Sequence, residues 1–187
     1  MNTIITRVPR QTVIEAYAVY DCGKKHRAIP DFANWDWNSA DALDVQLRVA
    51  GLKSGVLAGY TEWNKVTLDL ADLRQCAVVS SISDGGPRDL ASLETSGALE
   101  GWVPNQEVEW FANVQQGQPF PETDPFILRR ATVGERPAVW YLEDGSGRGT
   151  AIVANASLFI PLGAVAHAYL GTRVDPTSSF MQRKGFS

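Results

Sequence analysis

Leu43, Val45, Leu47 and Val49 alternate with Asp44, Gln46 and Arg48, a period of two that predicts a strand with one face on a core. Residues 12–20 (TVIEAYAVY) combine β-branched and aromatic side chains with partial alternation, and they too read as a strand. Residues 56–60 and 66–70 repeat the pattern, and residues 75–81 form a short apolar run ahead of the turn signal Ser83-Asp84-Gly85-Gly86-Pro87. The expectation for the first half is a strand-rich meander.

After Pro87 the period lengthens. Leu90, Leu93 and Leu99 sit among good helix formers, and Val108, Trp110, Phe111 and Val114 follow at helical spacings from Asn105, a candidate cap. Residues 126–130 and 138–142 read as strands, and Ile152, Ala156 and Phe159 can form one stripe of a helix. A short helix over 164–170, with His167 on it, and a loop, DPTSSFMQRKGF, complete the chain. The expected fold class is α+β with an α/β-like second half. It divides into a strand-rich portion, 1–87, and a second portion, 88–187, or forms one compact domain over 1–187, since no repeat or low-complexity linker separates the two.

Charge narrows the partners. The net charge is only −4, so no global positive field draws the molecule to nucleic acid or an anionic surface. Between Arg88 and Arg129 there is no Lys or Arg, while Asp89, Glu94, Glu100, Glu107, Glu109, Glu122 and Asp124 are all acidic. Cations gather instead at Lys24-Lys25-His26-Arg27, Arg129-Arg130 and Arg183-Lys184, each readable as a solvated face or as a phosphate-tracking patch. Cys22 and Cys76 match no metal-ligand spacing and are expected as reduced, buried thiols. With no apolar leader and no long apolar run, the expectation is a cytoplasmic protein without membrane insertion.

The richest candidate chemistry lies in WYLEDGSGRGTA, residues 140–151. In one reading Asp144-Gly145 is a hairpin turn and residues 150–155 are the returning strand. In the other the segment is strand, loop and helix. The first amides of such a helix lack intrahelical partners, and glycines let an anion approach the backbone closely. Arg148 then sits at the helix start, where its planar fork can clamp a phosphate. Other signatures are missing: there is no G-x-x-x-x-G-K-[ST] loop, no G-x-S-x-G elbow, and only His26 and His167 for a histidine site.

Gly145-Ser146-Gly147-Arg148-Gly149-Thr150-Ala151 fits G-x-x-R-x-x-A, and there the chain resembles the ParB/sulfiredoxin superfamily. In that family this loop joins a strand to a helix and binds nucleotide phosphates. The resemblance covers residues 100–160 and includes a helix ending in Gln116-Gly117-Gln118-Pro119 and a strand through Phe126-Ile127-Leu128. Ser146 and Gly147 stand where sulfiredoxins carry a cysteine and a histidine, which excludes thiol-based repair. A single arginine and the short stretch after Ala151 argue against a centromere-binding clamp. The segments YAVYDCGKKHRAIPDFANWDW and SSFMQRKGF further resemble plasmid fertility inhibition proteins.

This resemblance implies an ATP-hydrolysing DNase that blocks conjugative transfer of DNA through a type IV secretion system. ATP and Mg²⁺ are the implied cofactors; DNA, nucleotide and a secretion coupling protein or relaxase–DNA complex are the implied partners. Phosphoryl transfer needs charge neutralisation and a positioned water. The expected phosphate cradle is Gly145, Ser146, Gly147, Arg148, Gly149 and Thr150. Glu143 and Asp144 are placed to hold Mg²⁺ or orient water beside the catalytic Arg148, and Asp144 reads equally as a turn residue. The expected DNA contacts are Arg129, Arg130, Lys24, Lys25 and Arg27. Two alternatives stay open. One is a non-catalytic blocker of the coupling protein that uses an aromatic face of Trp35, Trp37, Trp63 and Trp110, and the other is a small-molecule kinase of the same fold.

Overall fold

In this computed structural model, which describes residues 6–78, 88–133, 135 and 140–186, the first half of the chain is helical where alternation predicts strands. Strand β1 (Thr6–Pro9) leads into α1 (Arg10–Lys24), α2 (Ala40–Val49) and α3 (Val56–Gly59) before β2 (Tyr60–Leu68) begins. Val13, Ile14, Tyr17, Ala18 and Cys22 form the buried stripe of α1, at spacings only a helix can place on one side. Ser39 caps α2 by accepting from the Ala42 amide. That helix buries Leu43 and Leu47, one turn apart, and turns Val45 and Val49 outward, 49% and 84% exposed. Four alternating apolar residues thus serve a helix that uses only two of them.

Residues 70–74 form α4 (Leu70–Arg74), held by a capping box between Asp69 and Asp72, and β3 (Cys76–Val78) follows. Residues 79–81 and the turn signal at 83–87 lie outside the described residues. Strand β4 (Arg88–Asp89) runs into α5 (Leu90–Thr95), whose cap is Asp89, and α6 (Glu109–Gln115) starts from Val108 rather than Asn105. Strands β5 (Phe126–Arg129) and β6 (Trp140–Asp144) fall where expected, with β5 ending before Arg130 and β6 running on through Asp144; residues 138 and 139 are not described. Helices α7 (Ser146–Ala154) and α8 (Ala156–Phe159) carry the predicted stripe. The predicted helix over 164–170 is instead the start of β7 (Ala166–Val174), and the expected terminal loop contains α9 (Ser179–Lys184), capped by Ser178.

The fold class is mixed α and β. Among the described residues the strands form a mixed seven-stranded sheet in the order β1-β2-β7-β5-β6-β3-β4, with β5–β7 and β3–β6 parallel and the other pairs antiparallel. Strands from before and after Pro87 interleave in it, because β7 lies between β2 and β5 and β3 lies beside β6. Along β5, Phe126 and Leu128 join the core under α4, α5, α7 and α8, whereas Ile127 joins the one under α1, α2, α3 and α9. Helices on both faces explain why this strand is apolar without alternation. Cys22 and Cys76 are free and buried, and burial pushes the Cys76 thiol up to about 12. No helix of the described residues is long and apolar enough to cross a membrane.

The two readings of α2 separate by mutation. Leu43→Ala is expected to cost about 2–5 kcal/mol of unfolding free energy and Val49→Ala less than about 0.5, measured by urea denaturation. In a strand with all four apolar residues on one face, both would cost alike.

Candidate functional site

The sheet delivers residues 140–149 as strand, turn and helix, which excludes the hairpin. Gly145 takes the left-handed conformation, φ 93° and ψ 8°, and a Cβ there would lie 2.9 Å from the Phe126 ring. Gly149 packs α7 onto β6, since its Cβ would meet Leu142 Cδ1 at 2.9 Å. The first turn closes with the Gly149 N–H donating to the Gly145 carbonyl at 2.8 Å, so the Ser146, Gly147 and Arg148 amides precede the first intrahelical bond. The Ser146 hydroxyl donates to the Leu142 carbonyl, and Thr150 Oγ1 donates to the Ser146 carbonyl. Neither hydroxyl caps those amides.

Gly147 differs from its neighbours. A Cβ at this position meets nothing within 4 Å, and its φ is ordinary. Packing and backbone conformation therefore leave this glycine unexplained, in a first turn that no side chain caps.

Arg148 points inward rather than out toward an incoming ligand. It is 3% exposed, and its guanidinium donates to the carbonyls of Asp124 (2.6 Å) and Pro125 (3.1 Å) and to Asp144 Oδ2 (2.9 Å). The rings of Tyr20 and Phe126 lie 4.4 and 4.5 Å from its central carbon. Burial pushes the Tyr20 phenol up to about 12 against the opposing pull of Arg148, so the ring packed on the arginine is neutral.

A pocket of about 320 Å³ opens over this turn, lined by residues 143–148 together with Tyr20, Lys24, Lys53 and Trp110. Lys53 Nζ donates to the Glu143 carbonyl and lies 3.4 Å from Asp144 Oδ1. Glu143 is held by Arg129 Nε at 2.9 Å. Both carboxylates that the sequence offers as metal ligands therefore line the pocket, each engaged by a cation. Among the described residues no group of three or more His, Cys, Asp or Glu side chains is arranged to hold a metal ion.

The predicted DNA contacts disperse. Arg129 is 5% exposed, with its fork on Glu135 at 2.7 Å in addition to Glu143. Lys25 and Arg27 both hold Asp21. Only Lys24 reaches the pocket, while Arg130 is exposed just beyond β5. Of the proposed aromatic face, Trp63 is fully buried, Trp35 and Trp37 pack with Phe32 on one side of the sheet, and Trp110 packs on the other. Glu107 and Glu109 line a different groove.

Sequence reading missed Lys53 and Tyr20, and it gave Trp110 to a partner-binding face rather than to this pocket. The available signal for the lysine was its setting in Gly51-Leu52-Lys53-Ser54-Gly55, whose two glycines both have positive φ, 68° and 59°, and turn the chain back over β6. A scan against protein-family models finds no match, and searches of curated proteins and of solved structures find none either.

Two outcomes follow from this bonding. Arg148→Met is expected to cost about 3–5 kcal/mol in urea denaturation, because it strips Asp144 and two carbonyls of a buried partner. The second concerns Glu135. Burial would raise its carboxyl, but the Arg129 hydrogen bonds and the Thr132 amide overcome that and hold it at about 2, below the ordinary 4.5. The unfolded chain thus takes up this proton at higher pH than the folded one. The contribution is complete above the ordinary value and is lost as pH falls toward the folded one. Glu135→Gln is expected to lower stability by about 1–2 kcal/mol at neutral pH, after solvent screening. Urea midpoints of the two proteins should converge as the solution is acidified.

Proposed function

We propose that the chain binds a nucleoside triphosphate at the start of α7 and hydrolyses it. On the resemblance to the ParB/sulfiredoxin superfamily, we further propose that this serves an ATP-dependent DNase that blocks conjugative DNA transfer through a type IV secretion system. Gly147 carries the reading. It is a helical glycine with no packing or conformational need, beside uncommitted amides, at the floor of a pocket that holds Lys24 and Lys53. Glycine there costs helix stability and gains close approach to the backbone, which a phosphate requires.

The residues divide the work as follows. The amides of Ser146, Gly147 and Arg148 bind phosphate oxygens, Lys53 and Lys24 balance their charge, and Trp110 offers an aromatic wall. Arg148 is a positioning residue, fixing Asp144 and the turn by bonds inside the protein. Mg²⁺ fits the chemistry of this pocket, since that ion is commonly shared between one or two carboxylates and the phosphates themselves. Glu143 and Asp144 would hold it, and it would neutralise charge on the transferred group. DNA backbone contact falls to Lys24 and Arg130, the predicted cations that no carboxylate among the described residues holds.

The test pairs Gly147→Ala with Lys53→Gln, incubated with ATP, Mg²⁺ and linear DNA. Gly147→Ala should leave the urea midpoint unchanged or raised, yet weaken nucleotide binding about tenfold by titration calorimetry and slow hydrolysis and DNA cutting. Lys53→Gln should weaken binding comparably. If the alanine variant binds and hydrolyses ATP like the parent, the phosphate site is not here.

A further inference from the structure

The connection from Leu99 to Val108 and the exposed side of α6 enclose a second concavity, about 810 Å³, the floor and walls of which include Val103, Pro104, Val108, Phe111 and Ala112. Val103 is 60% exposed at its edge. Glu107 and Glu109 are also exposed and stand on the rim. Among the described residues neither carboxylate has a salt-bridge partner, in contrast to Glu94 on Arg74 and Glu122 on Lys65. The segment around them, from Asp89 to Leu128, contains no Lys or Arg.

From this we propose that the groove docks a basic segment of a partner protein, an extended or helical peptide with one apolar anchor flanked by Lys or Arg. The apolar floor takes the anchor, and the unpaired glutamates take the cations. Charge complementarity makes the choice of occupant. A nucleic acid or an anionic lipid surface would be repelled by these carboxylates, whereas a basic peptide gains from them in both encounter rate and register. The basic, apolar stretch of this chain's own α9 does not serve in a second copy, because Met181 within it is fully buried in its own core. The wall is firm: Phe111 meets Trp102 and Trp110 edge to face, at ring separations of 6.2 and 6.1 Å. This docking stands independently of nucleotide binding, since Trp110 lines the other pocket and the groove uses the neighbouring positions of α6.

The experiment measures fluorescence anisotropy of a short labelled peptide of leucine and lysine, against the full chain, with a leucine–glutamate peptide as control. The parent should bind the basic peptide, more weakly as salt rises, and not the acidic one. Glu107→Gln with Glu109→Gln should weaken binding about tenfold. Val103→Asp is the discriminating variant, because it adds negative charge while removing the apolar edge. All these positions are exposed, so folding, followed by circular dichroism, should be unaffected. Weaker binding by Val103→Asp supports a groove with an anchor; tighter binding means loose charge attraction and overturns the proposal. Equal binding by parent and double variant also overturns it, as does sedimentation showing a dimer that Val103→Asp dissociates.

Discussion

The arrangement around α7 depends on a buried guanidinium whose bonds all go to the protein. Removing Arg148 from water is costly, and only a full set of well-aimed acceptors offsets that cost. Here three acceptors come from two places: the carbonyls of Asp124 and Pro125 ahead of β5, and the carboxylate of Asp144 at the end of β6. Tyr20 of α1 packs on the guanidinium from the other side of the chain's fold. One side chain thus fixes the end of a strand, the entry to its neighbour and the start of a helix. The amides of the first turn are held in place before any ligand arrives, which is the condition under which an anion can be bound without ordering cost.

How much of this was legible in the sequence follows from the distance over which each feature is decided. The turn at 145–149 was readable because glycine spacing and the following apolar stripe are local. The direction of Arg148 was not, since only Asp144 among its acceptors is local, the other two lie more than twenty residues upstream, and a stacking partner is in α1. The first half was misread for a definite reason. Leu43 and Leu47 are two positions of an alternating pattern and also one turn of a helix, and β-branched neighbours tilted the reading toward a strand. Packing of α2 against α3 and α9, not propensity, decided it. The opposite error occurred at β7. AVAHAYL suits a helix by composition, yet Ala166 and Ala168 lie on a central strand with helices over it, where small side chains let the upper layer approach.

The two concavities share one short helix and have opposite electrical character. Trp110 faces the pocket with its lysines, while Glu109, Phe111 and Ala112 face the acidic groove. The absence of Lys and Arg from Asp89 to Leu128 is therefore not a uniform feature of the surface. It leaves the groove side of α6 acidic, while the lysines of the neighbouring pocket, Lys24 and Lys53, come from the first half of the chain. Interleaving of the strands is what brings those two lysines to a turn built by the second half.

Two carboxylates beside a proposed anion site present an evident electrostatic objection, and the ion pairs answer it. Glu143 is held by Arg129, and Asp144 by Arg148 with Lys53 near its other oxygen. A paired carboxylate presents a dipole rather than a bare charge to its surroundings, and the potential of a dipole falls faster with distance than that of a charge. What an incoming anion meets at the pocket mouth is then set by Lys24, the remaining field of Lys53 and the positive end of α7. The buried arginines matter most by masking their carboxylate neighbours. This is also why a conservative change at Lys53 perturbs the pocket more selectively than removal of either arginine, which would expose a carboxylate and loosen the frame together.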